Sequence, residues 1–253
     1  MTQTPLDFIL EHKVFRLEEF LAGRKPATAR EALKYHLASY RLVRVRRGVY
    51  AHNEWIDPWF IASRLAKPAI VSHLGAMSFH FPDIVGVGHC LTFMTTERIS
   101  VGRHNEIIFQ PIRVEQTRMD WADDQEHTRE GKPVFVTSIA ATLVDCLADL
   151  DRSPPLTDLM LAFIVAKKRK VKARAMIDHA LRYESPLLCS RLGICLTCTD
   201  FFPEEGERGR LQKASLKRIA HFRRSKANAK TDRSFPPWNI IVPSELYAFV
   251  RAP

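Results

Sequence analysis

The sequence contains no apolar run near the roughly 18 residues that a membrane-crossing helix needs, although 46% of its 253 residues are hydrophobic. Its first residues, MTQTPLDFILEHK, lack the basic start, apolar centre and small-residue cleavage site of a secretory leader. A soluble cytoplasmic protein with no membrane association is expected. Glycine is scarce, at ten residues, and forms no Gly-rich phosphate loop, so a common nucleotide cofactor is not expected. Five cysteines, an odd number unevenly spaced, do not make a disulfide framework and suit a reducing compartment. Cys189, Cys195 and Cys198 raise the question of zinc, with His179 or His221 to complete a set. A structural zinc site takes four ligands, usually in two clustered pairs, and no second pair exists here. The expectation is no metal and no cofactor.

Acidic residues are scarce at both ends. Residues 1–52 carry ten basic and five acidic side chains, residues 53–202 seventeen and eighteen, and residues 203–253 eleven and five. The net charge of +10 therefore sits outside a near-neutral middle. Flanking segments of this kind suit a polyanionic partner.

The densest basic segment is also the most patterned. Thr28 reads as the N-cap of a helix in which Ala29, Ala32, Leu33, His36, Leu37 and Tyr40 share one face. Thr28, Arg30, Glu31, Lys34 and Tyr35 are left for the outside. From Leu42 the period drops to two, with Val43 and Val45 on one side and Arg44 and Arg46 on the other, before a turn at Arg47-Gly48. Between Gly23 and Ala51 there are eight Lys or Arg and one acid, Glu31. Phosphate attraction explains that imbalance better than a solvated helix face does. Upstream, Thr4-Pro5-Leu6-Asp7 resembles an N-cap box opening a short helix to His12, and Leu17–Ala22 reads as a second helix ending at Gly23. Three helices followed by a basic hairpin make a winged helix-turn-helix over residues 1–52, with a helical protein-interaction module as the alternative.

Residues 53–253 read as a second domain of α+β organisation. Asp57 caps a helix to about Leu65. Ala69-Ile70-Val71 reads as a buried strand, and Ser72 opens a helix through Phe81. Gly86–Thr95 and Glu106–Ile112 are further strands, with Val134-Phe135-Val136 the most central. Thr137 or Ser138 opens an amphipathic helix, Ile139–Leu150, and helices over Leu156–Val165, Val171–Tyr183 and Ser185–Cys198 follow. Arg208–Arg233 reads as a solvated basic connector, and Trp238–Val242 as a last strand.

Catalytic patterns are weak. Pro82-Asp83 with Glu130-Gly131-Lys132 matches the residue types of a metal-dependent PD...ExK nuclease, in which two carboxylates hold a metal and a lysine positions water. The expected placement of Asp83 in a loop and Glu130 ahead of a strand does not suit that site. Asp120, Asp123, Asp124, Glu126 and Glu130 with His127 read as a solvated acidic loop. His73 and His80, seven apart on one helix face, lack a third ligand or a nucleophile. No enzyme is expected.

Four segments occur in an order that resembles the AbiEi family of type IV antitoxins. They are Arg46-Arg47-Gly48-Val49-Tyr50, Ile70–His80, the helix Ala141-Thr142-Leu143-Val144-Asp145-Cys146-Leu147, and Ser190-Arg191-Leu192-Gly193-Ile194-Cys195-Leu196. The resemblance covers about residues 5–200. It implies a phage-defence autorepressor whose winged helix binds inverted repeats of double-stranded DNA in its own promoter, with two copies pairing on the DNA. It further implies a C-terminal domain that confers antitoxicity against a nucleotidyltransferase-like toxin without a stable complex. The DNA-contacting set is then Thr28, Arg30, Lys34 and Tyr35 on the recognition helix and Arg44, Arg46 and Arg47 on the wing. Ser153-Pro154-Pro155 and the basic segment at 208–233 depart from the family pattern, and a stand-alone winged-helix regulator without a toxin is the alternative.

Overall fold

A computed structural model describes residues 3–201, 205–223 and 233–249. It is a mixed α+β protein whose packing divides into two compact units, Met1–Gly75 with Val87–Val136 and Ala76–Gly86 with Thr137–Pro253. The division falls elsewhere than the boundary after residue 52 expected from the sequence.

The first unit begins with α1 (Pro5–His12), β1 (Val14–Arg16), α2 (Leu17–Leu21), α3 (Pro26–Ala38), β2 (Leu42–Arg46) and β3 (Val49–His52). Thr4 caps α1 by accepting from the Asp7 amide. Strand β1, which the sequence reading passed over, pairs with β3 to make a three-stranded antiparallel sheet ordered β1-β3-β2. Phe8, Phe15, Phe20, Leu33 and Leu42 fill the core beneath it.

Helix α3 differs in two ways from the expected one. It starts at Pro26, with Lys25 as an N-cap that makes no side-chain bond. A proline at the first position has no amide hydrogen to satisfy and its ring already holds helical φ, so the start does not depend on Thr28. Tyr40, expected on the buried face, is 78% exposed. The helix has ended at Ala38, and Tyr40 sits at φ 56°, which turns its side chain off the helical path.

The rest of the first unit is built on α4 (Pro58–Leu65), capped by Asp57 through the Phe60 amide, and a six-stranded sheet. Its strands are β4 (Ile70–Val71), β5 (Cys90–Thr95), β6 (Gly102–His104), β7 (Ile107–Arg113), β8 (Asp124–Arg129) and β9 (Lys132–Thr137), in the order β6-β7-β5-β4-β9-β8. The most central strands are thus β5 and β4, not Val134–Val136, because β9 has only β8 beyond it. Burial along β5 is nearly continuous, as expected for a strand covered on both faces. The acidic stretch expected as a loop is α6 (Gln116–Asp120) followed by the edge strand β8. An edge rich in charge discourages further strand pairing. Helix α5 (His73–His80) follows β4 and from Ala76 onward belongs to the second unit.

The second unit is mainly helical: α7 (Ile139–Ala148), α8 (Leu156–Lys168), α9 (Ala173–Leu181), α10 (Pro186–Cys198) and α11 (Glu205–Ala214). Ser138 caps α7 through the Ala141 amide. That helix is not amphipathic as expected, since Ala140 through Leu147 are all buried. A helix covered on every side needs no polar face. The basic segment is not a solvated connector where it is described: Leu211 on α11 and Phe222 are fully buried. Residues 224–232 of that segment lie outside the described residues. The last strand is shorter than expected, β12 (Ile240–Val242), because Trp238 belongs to a 3-10 turn and Asn239 is left-handed. It lies between β10 (Ala220–His221) and β11 (Arg233–Phe235).

Candidate nucleic-acid interface

At 3.6 residues per turn, α3 divides into two arcs. Ala29, Leu33 and His36 are buried and Ala32 and Leu37 half-buried, while Thr28, Arg30, Glu31, Lys34 and Tyr35 are exposed. Tyr35 keeps 61% of its surface in solvent. Arg30 and Lys34, four apart, stack along one edge of the outer arc, and Thr28, Glu31 and Tyr35 form the neighbouring stripe.

The β2–β3 hairpin turns at Arg47-Gly48, where Gly48 has φ 78°, a conformation that costs a residue with a Cβ. Arg44 and Arg47 are exposed. Arg46 was expected to point outward with Arg44, but the pairing register shifts between these two residues and breaks the two-residue alternation. The Arg46 guanidinium instead reaches the Leu65 carbonyl through both Nε, at 3.0 Å, and Nη2. Burial, followed by the nearby Arg16 charge, lowers its pKa from the usual arginine value.

The eight cations between Gly23 and Ala51 thus fall into two groups. Arg24 donates to the Phe20 carbonyl at 2.8 Å and lies over the Phe8 and Phe20 rings, and Arg46 is held at Leu65. Lys25, Arg30, Lys34, Arg41, Arg44 and Arg47 are exposed and form no ion pair with any described residue. Lys25 and Arg41 were not singled out from the sequence. Their signal was exposure at the two ends of α3, which depends on where the helix starts and stops.

The remaining candidates are arranged differently. Glu130, at φ 49° in the turn between β8 and β9, accepts from Lys13 Nζ at 2.7 Å. That hydrogen bond lowers its pKa from the usual glutamate value. Asp83 lies in a turn after α5. His73 is buried with Nδ1 3.0 Å from Ser72 Oγ, and His80 Nε2 lies 2.7 Å from the Thr137 carbonyl. Among the described residues no group of three or more His, Cys, Asp and Glu is placed to hold a metal ion. The five cysteines are free thiols. Burial pushes the Cys146 and Cys195 thiols far up and Cys198 to about 12.

In the second unit the segments Ala141–Leu147 and Ser190–Leu196 are core helices. Asp145 on α7, fully buried, accepts from Tyr183 Oη at 2.6 Å and lies 3.0 Å from His179 Nε2 on α9. Arg191 on α10 donates to the carbonyls of Phe222 at 2.8 Å and Leu147 at 2.7 Å. These polar groups tie helices and loops together inside the unit, as buried charges do when they are hydrogen-bonded.

No protein-family model matches the chain, and no curated protein matches it. Among solved structures it is similar to the RV2827C protein from Mycobacterium tuberculosis, with TM-score 0.59 and 14% identity over 93% of this chain and 88% of that one. At that identity the likeness is one of fold, a mixed α+β architecture extending over most of both chains. No helix among the described residues is long and apolar enough to cross a membrane.

Proposed function

We propose that α1 through β3 form a winged helix-turn-helix that binds double-stranded DNA, with α3 as recognition helix and the β2–β3 hairpin as wing. The observation that carries this reading is the set of six exposed cations on α3, at its two ends and on the hairpin, none engaged with an acid. Unanswered charge of one sign on a helix and an adjoining β-ribbon suits a phosphate backbone. The element order α1-β1-α2-α3-β2-β3 with its β1-β3-β2 sheet also supports it. Arg44, Arg47, Lys25 and Arg41 are assigned to phosphates, and Arg30, Lys34, Thr28 and Tyr35 to the groove. Arg46 is a strut and not a DNA contact.

The AbiEi resemblance extends this to an autorepressor and antitoxin, acting on inverted repeats in its own promoter and against a nucleotidyltransferase-like toxin, with no catalytic role. The test is titration of a labelled fragment from upstream of the gene at several salt concentrations. Wild-type affinity should fall steeply with salt, and Arg44→Ala with Arg47→Ala should weaken binding to all sequences alike and flatten the salt slope by about two. Unchanged binding by that double variant sinks the wing assignment. Antitoxicity is tested by co-expression with a nucleotidyltransferase-like toxin; continued growth arrest argues against it and leaves the DNA reading standing.

A further inference from the structure

The first unit carries a half-open cavity of about 630 Å³, within the range of roughly 300–1,000 Å³ typical of small-molecule sites. Its inner wall is apolar, formed by the buried residues Val14, Phe60, Ala66, Ala69 and Ile70. At its mouth Pro68, Pro133 and Phe135 stay exposed. Phe135 lies between the fully buried Val134 and Val136 on β9, yet keeps 39% of its surface in solvent. An aromatic ring and two flat prolines around an apolar hollow favour a planar apolar body, since covering them removes apolar area from water.

The lining charges indicate the other end of such a ligand. Glu19 accepts from Arg64 Nη2 at 2.7 Å and from the Arg16 amide at 2.8 Å, with Lys67 Nζ at 3.8 Å. Those three side chains therefore answer one another. His12 is engaged through Nδ1, 3.0 Å from the Phe8 carbonyl, and its ring stacks on Phe8. Lys132 is different: exposed at the mouth, its ammonium makes no hydrogen bond or ion pair with any described residue. Asp124 is the remaining lining acid, also exposed.

We propose that this cavity binds a small carboxylate with a planar apolar body, the body seated against Phe135 and the prolines and the carboxylate on Lys132. The site stands on the cavity and its lining, and holds whether or not the chain binds DNA. Calorimetric titration of the full chain with 4-phenylbutyrate and its neutral amide, 4-phenylbutyramide, tests it, with thermal melts verifying that each variant is folded. The acid should bind about tenfold more tightly than the amide, the size of one charge-assisted hydrogen bond. Lys132→Ala should abolish that preference, weakening the acid more than the amide. Phe135→Ser should weaken both probes, and Asp124→Asn should tighten the acid alone by removing a repelling charge. The proposal is overturned if neither probe binds saturably up to millimolar concentration, or if acid and amide bind equally. It also fails if Lys132→Ala and Phe135→Ser both bind as wild type does, or if Asp124→Asn weakens the acid.

Discussion

The guanidinium of Arg46 donates through Nε to the main-chain carbonyl of Leu65 at 3.0 Å, at the C-terminal end of α4. Beside it Arg16 reaches the Arg64 carbonyl at 3.3 Å. The last carbonyls of a helix have no partner within it, and cations are favoured there by the helix dipole. Two arginines, one from β1 and one from β2, thus serve α4 as C-terminal caps. The hairpin is thereby fastened to the sheet-bearing part of the same unit.

Arg46 and its neighbour Arg47 should therefore separate cleanly. Arg46→Ala leaves the Leu65 carbonyl without these donors and should cost about 1–3 kcal/mol in urea unfolding. Arg46→Lys should not restore it, since a single ammonium cannot reproduce the planar two-nitrogen contact. Arg47→Ala should leave stability within about 0.5 kcal/mol of wild type and, under the proposed DNA-binding reading, lower the salt slope of binding by about one. Equal stability for the two alanine variants would remove the strut role.

Replacing a glycine inside a helix by alanine ordinarily gains about 1 kcal/mol. At Gly193 the sign should reverse. A Cβ there would collide with the indole of Trp238, which packs directly on the α10 backbone, so Gly193→Ala should lower the thermal midpoint, with an overpacking cost of about 1–3 kcal/mol. Trp238→Leu creates room and is destabilising by itself, but in that background Gly193→Ala should cost much less. Additive effects in this double-mutant cycle would show that the two residues do not meet.

His36, only 5% exposed on the underside of α3, has its pKa lowered by burial first and by the Arg41 charge second. Between the folded value and the unfolded one near 6.5, the unfolded chain holds more protons. The stability that neutral His36 contributes is complete above the unfolded value and is lost as pH falls through the folded one. Thermal midpoints should decline from pH 7.5 to pH 5, and less steeply in His36→Gln. Parallel curves for the two proteins would count against this titration.

The thiols should be poor nucleophiles in the folded protein, because attack requires the thiolate. Burial raises all five, with Cys198 at about 12 and Cys146 and Cys195 in the fully buried core. Iodoacetamide at neutral pH, followed by peptide mass spectrometry, should label little before unfolding, with the half-buried Cys90 first and the two core thiols last. Rapid labelling of Cys195 in the native protein would contradict its packing.

Several elements were legible from local pattern. Thr4, Asp57 and Ser138 are oxygen-bearing residues at helix starts, and each accepts from a backbone amide of the first turn. Burial along α3 follows its helical period as far as Leu37. Local pattern misplaced Tyr40, because the period was carried past the end of the helix. It passed over β1 because three residues are too few to display alternation, and that strand exists through its partner β3. It ranked Val134–Val136 as most central because composition records burial and not sheet order.

The cationic surplus of the first fifty-odd residues, the helix-then-hairpin pattern within it and the α+β class can be read from residue order, since charge and periodicity are local properties. Which of those cations remain available depends on contacts made across the fold. Arg46 is engaged with Leu65, nineteen residues away, and Lys13 with Glu130, 117 residues away. A guanidinium or ammonium is available to a phosphate only if no carbonyl or carboxylate of its own chain reaches it first. That competition is settled by contacts between residues far apart in sequence, where neither composition nor period carries information.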